Sequence, residues 1–350
     1  MFPGARPPRK VLVPKMLSGR QAALIVWFVG MSVLIGLIAW HGADHVGSAM
    51  LSAGWASVLV VLLRIAAVAI AGGGWWLLFK PEQRPSLMLC VGLRFVREGA
   101  NALLPLAQIG GDFIGARCLA LRGARGSLAA ASVIVDVLMQ AASQLVFAII
   151  GLILLIEIGG EDLIVWPIAV GIAVAVPALG GFLLAQGEVG QRLFKKVLSA
   201  VAGDRNWLLL GALDDLFAQL DAFYRQHGSL IRSVAWHLAG WFVGAIEVWV
   251  VLNFMGYQID YGDAVIIESL MHAVRGAAFA VPGALGAQEG GLIVLCAMFG
   301  VPPDAALGLS LVKRIPDLVI GIPGLLAWQA MEGWNFHRRR PASDNQNERA

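Results

Sequence analysis

Charged residues are scarce in this sequence. Only 14% of the 350 residues are Asp, Glu, Lys or Arg, whereas 58% are apolar. A soluble domain carries about 25% charged residues, and a disordered chain combines low hydrophobicity with high charge, so both classes are excluded. The apolar runs are continuous, without the alternation of an outer-membrane barrel. The sequence therefore predicts an all-α polytopic membrane protein.

Cysteine is also in short supply. Cys90, Cys118 and Cys296 are far apart and lie in apolar stretches, which argues against a disulfide framework or a Cys/His metal cluster. The GxSxG, HExxH and Walker A motifs are missing. We therefore expect no cofactor, no metal and no enzymatic activity. The net charge of +3 gives no reason to expect nucleic acid as a partner.

Apolar runs of about 20 residues, in contrast, are abundant and predict transmembrane helices. Six full spans are predicted, at 22–40, 54–79, 126–156, 163–185, 229–254 and 304–331. Basic residues gather at both termini and in the segments 80–97, 117–125 and 187–225. The positive-inside rule then places both termini in the cytoplasm. The predicted organisation is a basic N-terminus, one transmembrane domain and a polar tail, at 1–20, 21–335 and 336–350.

Two apolar segments, 87–121 and 264–300, do not read as simple spans. Each is interrupted by Pro and Gly near its middle. The loop charges require the first segment to begin and end inside and the second to begin and end outside. Two re-entrant hairpins that enter from opposite faces satisfy these charges. Two short full spans in each segment satisfy them equally, and loop charges do not separate the two arrangements.

The two broken segments share an order of residues. Each has an arginine seven or eight residues before a proline, glycines after the proline, a carboxylate seven residues after it and an intramembrane aspartate further on. The sets are Arg97, Pro105, Gly110, Gly111, Asp112 and Asp136, and then Arg275, Pro282, Gly283, Gly286, Glu289 and Asp317. This order predicts an inverted repeat, 54–157 and 229–331, around a cytoplasmic amphipathic hairpin at 187–227.

Charged residues inside the apolar runs are the candidate functional residues. Each costs about 2.5–3.5 kcal/mol at a helix centre, so we expect them to face one another or a wet cavity. For each residue alone, ion pairing that fixes helix packing is an equal alternative, but so many charges together favour a polar path. The candidate translocation residues are Arg97, Asn101, Asp112, Asp136, Glu268, His272, Arg275, Gln288, Glu289, Arg314 and Asp317.

Two motifs carry a resemblance to a known family. They are Asn-Ala-Leu-Leu-Pro at 101–105 with Gly-Gly-Asp at 110–112, and Pro-Gly-Ala-Leu-Gly-Ala-Gln-Glu at 282–289. The chain resembles the flippase-like transmembrane region of the lysylphosphatidylglycerol synthases over about residues 20–333. Within that group it is similar to the stand-alone hopanoid-biosynthesis-associated membrane proteins. The synthases carry an aminoacyl-transferase domain after this region, and because this chain ends at Ala350, aminoacyl transfer is not expected.

The resemblance implies a multi-pass protein of the bacterial inner membrane that translocates a lipid, either a hopanoid or a phospholipid. Hopanoid-biosynthesis proteins are the partners that it implies, and a homodimer is compatible with it. An intramembrane lipid-modifying enzyme or an accessory subunit of lipid biosynthesis is the alternative. In that case Asp112 and Glu289 would perform acid–base chemistry.

Overall fold

The computed structural model of the protein describes residues 43–104, 110–160, 162–187, 190–192, 207–278, 281 and 284–339, together with residues 32, 35, 36 and 39. The helices are α1 (Ala43–Ser52), α2 (Ala56–Trp76), α3 (Leu87–Leu103), α4 (Gly110–Leu121), α5 (Gly126–Glu157), α6 (Asp162–Gln186), α7 (Trp207–Tyr224), α8 (His227–Phe254), α9 (Tyr261–Ala277), α10 (Ala287–Ala297) and α11 (Pro303–Arg339). A 3-10 turn, Pro81–Gln83, precedes α3. All regular structure in these residues is helical, which confirms the predicted all-α class.

Some predicted features lie outside the described residues. They are both chain termini, most of the span 22–40, the first part of the hairpin 187–227, and the residues Pro105, Pro282 and Gly283. The second part of that hairpin is α7, which packs against α5. The partner helix expected for α7 therefore stays a prediction.

Four helices are long and apolar enough to cross a membrane. They are α2, α5, residues Val165–Gln186 of α6, and α8, and they correspond to the predicted spans 54–79, 126–156, 163–185 and 229–254. Helix α11, at the position of the predicted last span, has 37 residues, but its charged residues make it less apolar than these four helices. The chain is thus a membrane protein with several apolar helices.

Each predicted broken segment folds as a pair of short helices. Helix α3 has 17 residues and α4 has 12, while α9 has 17 and α10 has 11. At 1.5 Å per residue the longest of these measures about 25 Å, less than the ~30 Å hydrocarbon core of a bilayer. The α3–α4 and α9–α10 pairs pack into different apolar cores at opposite ends of the bundle.

The two apolar cores define the ends of the bundle. The core that we call the basic-end core contains Trp75, Phe79, Leu93 and Phe223, and it lies near the loops that hold Lys80, Arg84, Arg122 and Arg125. The opposite-end core contains Val60, Leu155, Val251, Ile267 and Leu309. Helices α2, α5, α8 and α11 contribute to both cores. Their middle turns, which carry charged residues, therefore lie between the cores.

The order of helices repeats along the chain. Helices α2 to α5 have 21, 17, 12 and 32 residues, and helices α8 to α11 have 28, 17, 11 and 37. Helix α2 packs on α8, α3 on α11, and α9 on α5. The α3–α11 contact is close because a Cβ on Gly99 would lie 2.7 Å from the carbonyl oxygen of Gly321. Each short first helix of a pair therefore packs on a long helix of the other half.

Candidate functional site

The first group of buried charges is centred on Asp136 of α5, which is 0% exposed. Its Oδ2 accepts hydrogen bonds from Arg97 Nη1 at 2.7 Å, Gln140 Nε2 at 3.0 Å and Arg94 Nη1 at 3.3 Å. Its Oδ1 lies 3.0 Å from Nε2 of His237 on α8. We call these residues the aspartate cluster, to which Asp112 and the Asn101–Gly111 contact described next also belong. A fully buried carboxylate with this many partners is compensated for its lost hydration.

Arg97 also connects the two helices of the first broken segment. Its Nε donates to Asp112 Oδ1 at 2.9 Å, and its guanidinium carbon lies 5.0 Å from the centre of the Trp75 ring. The amide of Gly111 donates to Asn101 Oδ1 at 2.7 Å. A Cβ on Gly111 would lie 2.1 Å from the Arg97 carbonyl oxygen, so only glycine fits here. The residues of the first motif thus hold the N-terminus of α4 against α3.

The second group of buried charges is centred on Lys313 of α11. Its Nζ donates to both carboxylate oxygens of Glu268 at 2.8 Å and to Glu247 Oε2 at 3.3 Å. Arg64 of α2 forms a bidentate pair with Glu247, at 2.9 and 2.6 Å. Nε2 of His272 lies 3.3 Å from Glu268 Oε1. We call these five residues the lysine cluster, and they join helices from both halves of the chain.

Glu289 forms a smaller group at the start of α10, which we call the glutamate turn. Its Oε2 accepts from the amide of Gly286 at 2.7 Å, and its Oε1 accepts from Ser310 Oγ at 2.8 Å and from Arg314 Nη2 at 2.7 Å. Gln288 Nε2 donates to Ser310 Oγ at 3.0 Å. Gly286 has φ +80°, a conformation that favours glycine. The second motif therefore fixes the N-terminus of α10 against α11.

A cavity of about 80 Å³ lies between the aspartate cluster and the lysine cluster, and we call it the polar cavity because nine of its fourteen lining residues are polar or charged. Its polar lining consists of Arg64, Arg94, Glu98, Gln140, His237, Trp241, Glu247, Glu268 and His272. A buried water needs roughly 10–15 Å³ of such space and two to four polar partners, so the cavity can hold several. It is too small for a whole lipid. The middle of the apolar bundle therefore contains a space that charged side chains border and that is large enough to hold water.

Comparison with known proteins connects this arrangement to a family. The family model described as the lysylphosphatidylglycerol synthase TM region matches residues 26–324. The chain belongs to this lysylphosphatidylglycerol synthase TM family. The match includes both clusters, the glutamate turn and the cavity. No curated protein and no solved structure matches the chain with significance.

In this member of the lysylphosphatidylglycerol synthase TM family, nine of the eleven candidate residues have partners in the three groups. Arg97, Asn101, Asp112 and Asp136 meet at the aspartate cluster, Glu268 and His272 at the lysine cluster, and Gln288, Glu289 and Arg314 at the glutamate turn. Asp112 and Glu289 are held by different arginines. Among the described residues, no group of three or more His, Cys, Asp or Glu side chains is placed to hold a metal ion.

Arg275 and Asp317 differ from the other candidates. Neither forms an ion pair within 4 Å with a described residue, although Arg64, Arg275 and Arg314 act electrostatically on Asp317. Both side chains are only partly buried. The charge of each is therefore less fully compensated than the charges in the clusters.

Several members of the clusters were missing from the candidate set. They are Arg64, Arg94, Gln140, His237, Glu247, Ser310 and Lys313. Arg94 could have been found, because it lies one helical turn before Arg97 on the same face. Arg64, Glu247 and Lys313 do carry a sequence signal, since they are among the charged residues in or beside apolar spans that we expect to face one another or a wet cavity. His237 and Ser310 carry no sequence signal, since each is an isolated polar residue in an apolar helix.

Proposed function

We propose that the protein is a lipid transporter of the bacterial inner membrane, which moves hopanoids or related lipids across or out of that membrane without altering them chemically. The observation that carries this proposal is the polar cavity between two buried charged clusters in the middle of an apolar bundle. Ionisable residues at that depth are costly and typically mark a substrate path. Membership of the lysylphosphatidylglycerol synthase TM family supports a membrane lipid as substrate.

The proposed path has walls of paired residues and a smaller set of groups that meet the lipid. The paired residues of the clusters hold helices from both halves together, so we assign them to the wall. Arg275 and Asp317, which lack ion pairs among the described residues, are assigned to the lipid headgroup. The helices that line the cavity must separate for a lipid to pass, since a volume of about 80 Å³ is too small for a whole lipid.

A reconstitution experiment tests transport and this assignment together. Purified protein in phospholipid vesicles is assayed for movement of a fluorescent phospholipid or hopanoid between leaflets. We expect movement with the wild-type protein, a large reduction with Arg275→Gln and no reduction with Arg232→Gln. Arg232 is a matched control because it is exposed and bonds only to Gly228 and Ser229 among the described residues. Vesicles in which neither lipid moves would refute the proposal.

The proposed topology has six spans and two re-entrant hairpins in an inverted repeat, with both termini in the cytoplasm. The repeated helix order and the packing of α3–α4 and α9–α10 at opposite ends support it. Single cysteines at Leu104 and Val281, beside the two prolines, are labelled with a membrane-impermeant maleimide after Cys90, Cys118 and Cys296 are replaced. Labelling of the two sites from opposite sides is expected. Labelling of both from one side would overturn the inverted repeat.

A deletion strain separates transport from lipid modification. If the protein transports hopanoids, the strain makes all its lipids but places them in the wrong membrane. Loss of a lipid species would instead indicate an enzyme or an accessory subunit. Pull-down of hopanoid-biosynthesis proteins with the tagged full chain, and its mass in detergent, test the proposed partners and a homodimer.

A further inference from the structure

A second cavity lies outside the polar path, in a groove between α3 and α11. Its volume is about 600 Å³, within the roughly 300–1,000 Å³ range of ligand sites. Met88, Gly92 and Val96 of α3 and Ala327 and Ala330 of α11 form its walls, and Arg122 at the end of α4 forms part of its rim. None of its lining residues lines the polar cavity. The α3–α11 groove is therefore a separate feature.

The groove follows from the small residues on the two helices. The helices touch where a Cβ on Gly324 would lie 2.6 Å from the carbonyl oxygen of Phe95, and at the Gly99–Gly321 contact described above. Nearer the basic end, Gly92, Ala327 and Ala330 are exposed, so little side-chain volume fills the space between the helices. The result is an apolar groove that begins beside a close helix contact and extends toward the basic end.

The rim of the groove is positively charged. Arg117 forms a bidentate ion pair with Glu332 of α11, and this pair joins α4 to α11 beside the groove. Arg122, five residues further along and just after the end of α4, is exposed and forms no ion pair with a described residue. Arg125 follows it at the start of α5. Basic pockets between transmembrane helices on the cytoplasmic side bind the headgroups of anionic lipids.

We propose that the α3–α11 groove binds an anionic phospholipid from the leaflet at the basic end, with an acyl chain along Gly92, Ala327 and Ala330 and the phosphate on Arg122. The apolar walls match an acyl chain, and Arg122, which has no ion pair with a described residue, matches a phosphate. This lipid is a bound partner rather than the transported substrate, because the groove shares no residue with the polar cavity. The proposed lipid-binding site is therefore additional to the proposed transport function.

Native mass spectrometry of the full chain, released from nanodiscs of equal parts phosphatidylglycerol and phosphatidylethanolamine, tests the site. We expect the wild-type protein to retain phosphatidylglycerol preferentially. Arg122→Gln should reduce that preference about fivefold, the change expected for one basic residue near a membrane surface. Ala330→Trp, which fills the groove, should abolish retention of either lipid at this site.

Two matched variants serve as controls. Arg232→Gln removes another exposed arginine at the basic end, and Ile322→Trp adds bulk to an exposed face of α11 away from the groove. Both should bind lipid like the wild type.

Equal phosphatidylglycerol retention by Arg122→Gln and wild type would overturn the proposal. Crosslinking of the groove to residues 340–350 or to a second copy of the chain, in place of lipid, would also overturn it. Because binding is measured without transport, failure here leaves the proposed transport untouched.

Discussion

The aspartate cluster and the lysine cluster each surround one buried central charge with partners of the opposite sign. The central charge is negative in the first cluster and positive in the second. In the first, the buried anion Asp136 is surrounded by the cations Arg94 and Arg97. In the second, the buried cation Lys313 is surrounded by the anions Glu247 and Glu268. An arginine does not lose its proton in a protein, whereas a carboxylate can gain one. The carboxylates around Lys313 can therefore change their charge, whereas the two arginines around Asp136 cannot.

Removal of the central anion should have the largest effect on stability. In Asp136→Ala, Arg97 keeps its pair with Asp112, but the buried Arg94 and Arg97 lose the carboxylate that they share and His237 loses its partner. Loss of one partner of a buried pair costs about 3–5 kcal/mol. We expect little monodisperse protein in size-exclusion chromatography and a strongly lowered Tm in detergent. Asp215→Ala, at an exposed position on α7, is the control and should behave like wild type.

Removal of the central cation should be milder and should depend on pH. In Lys313→Met, Glu247 keeps its bidentate pair with Arg64, and Glu268 keeps the contact with His272. Protonation of Glu268 relieves its uncompensated charge, so the loss in Tm relative to wild type should shrink from about pH 8 to about pH 5. Asp136→Ala should show no such recovery. Equal losses for the two variants at both pH values would refute the contrast between the clusters.

The Arg64–Glu247 pair tests whether the lysine cluster stabilises the fold or serves another purpose. Glu247→Met alone removes the carboxylate that Arg64 and Lys313 share, so two neighbouring cations lose a common partner, and the Tm should fall clearly. The double variant Arg64→Met, Glu247→Met should recover most of the loss, because apolar replacement of a whole buried ion pair is often neutral. If the double variant is stable but moves no lipid in vesicles, the pair belongs to the path. A double variant no more stable than the single would show that the pair fixes the packing of α2 on α8.

The contrast between the clusters also shows what sequence can predict. The spans α2, α5, α6 and α8 were predictable because each is a continuous apolar run of about 20 residues. The Arg97–Asp112 pair could be predicted from the sequence, since only 15 residues separate its members. The contact of Asp136 with His237 bridges 101 residues, and that of Lys313 with Glu247 bridges 66. Several intramembrane charges could have paired, and only the packing of α5 on α8 and of α8 on α11 selects among them.

The smallest expected change in stability comes from adding one methyl group to a glycine. We compare Gly111, which has close neighbours, with Gly290, which has none. In Gly111→Ala, the new Cβ would lie 2.1 Å from the Arg97 carbonyl oxygen and 2.8 Å from Asn101 Oδ1, so α4 must move away from α3. Overpacking of this kind costs about 1–3 kcal/mol, and the displacement weakens the Arg97–Asp112 pair. Gly290→Ala in α10 meets no atom within 4 Å and should leave the Tm unchanged or raise it, because alanine favours a helix. Thermal unfolding of both variants in one detergent makes the comparison, and equal Tm values would show that the N-terminus of α4 tolerates a side chain at this position.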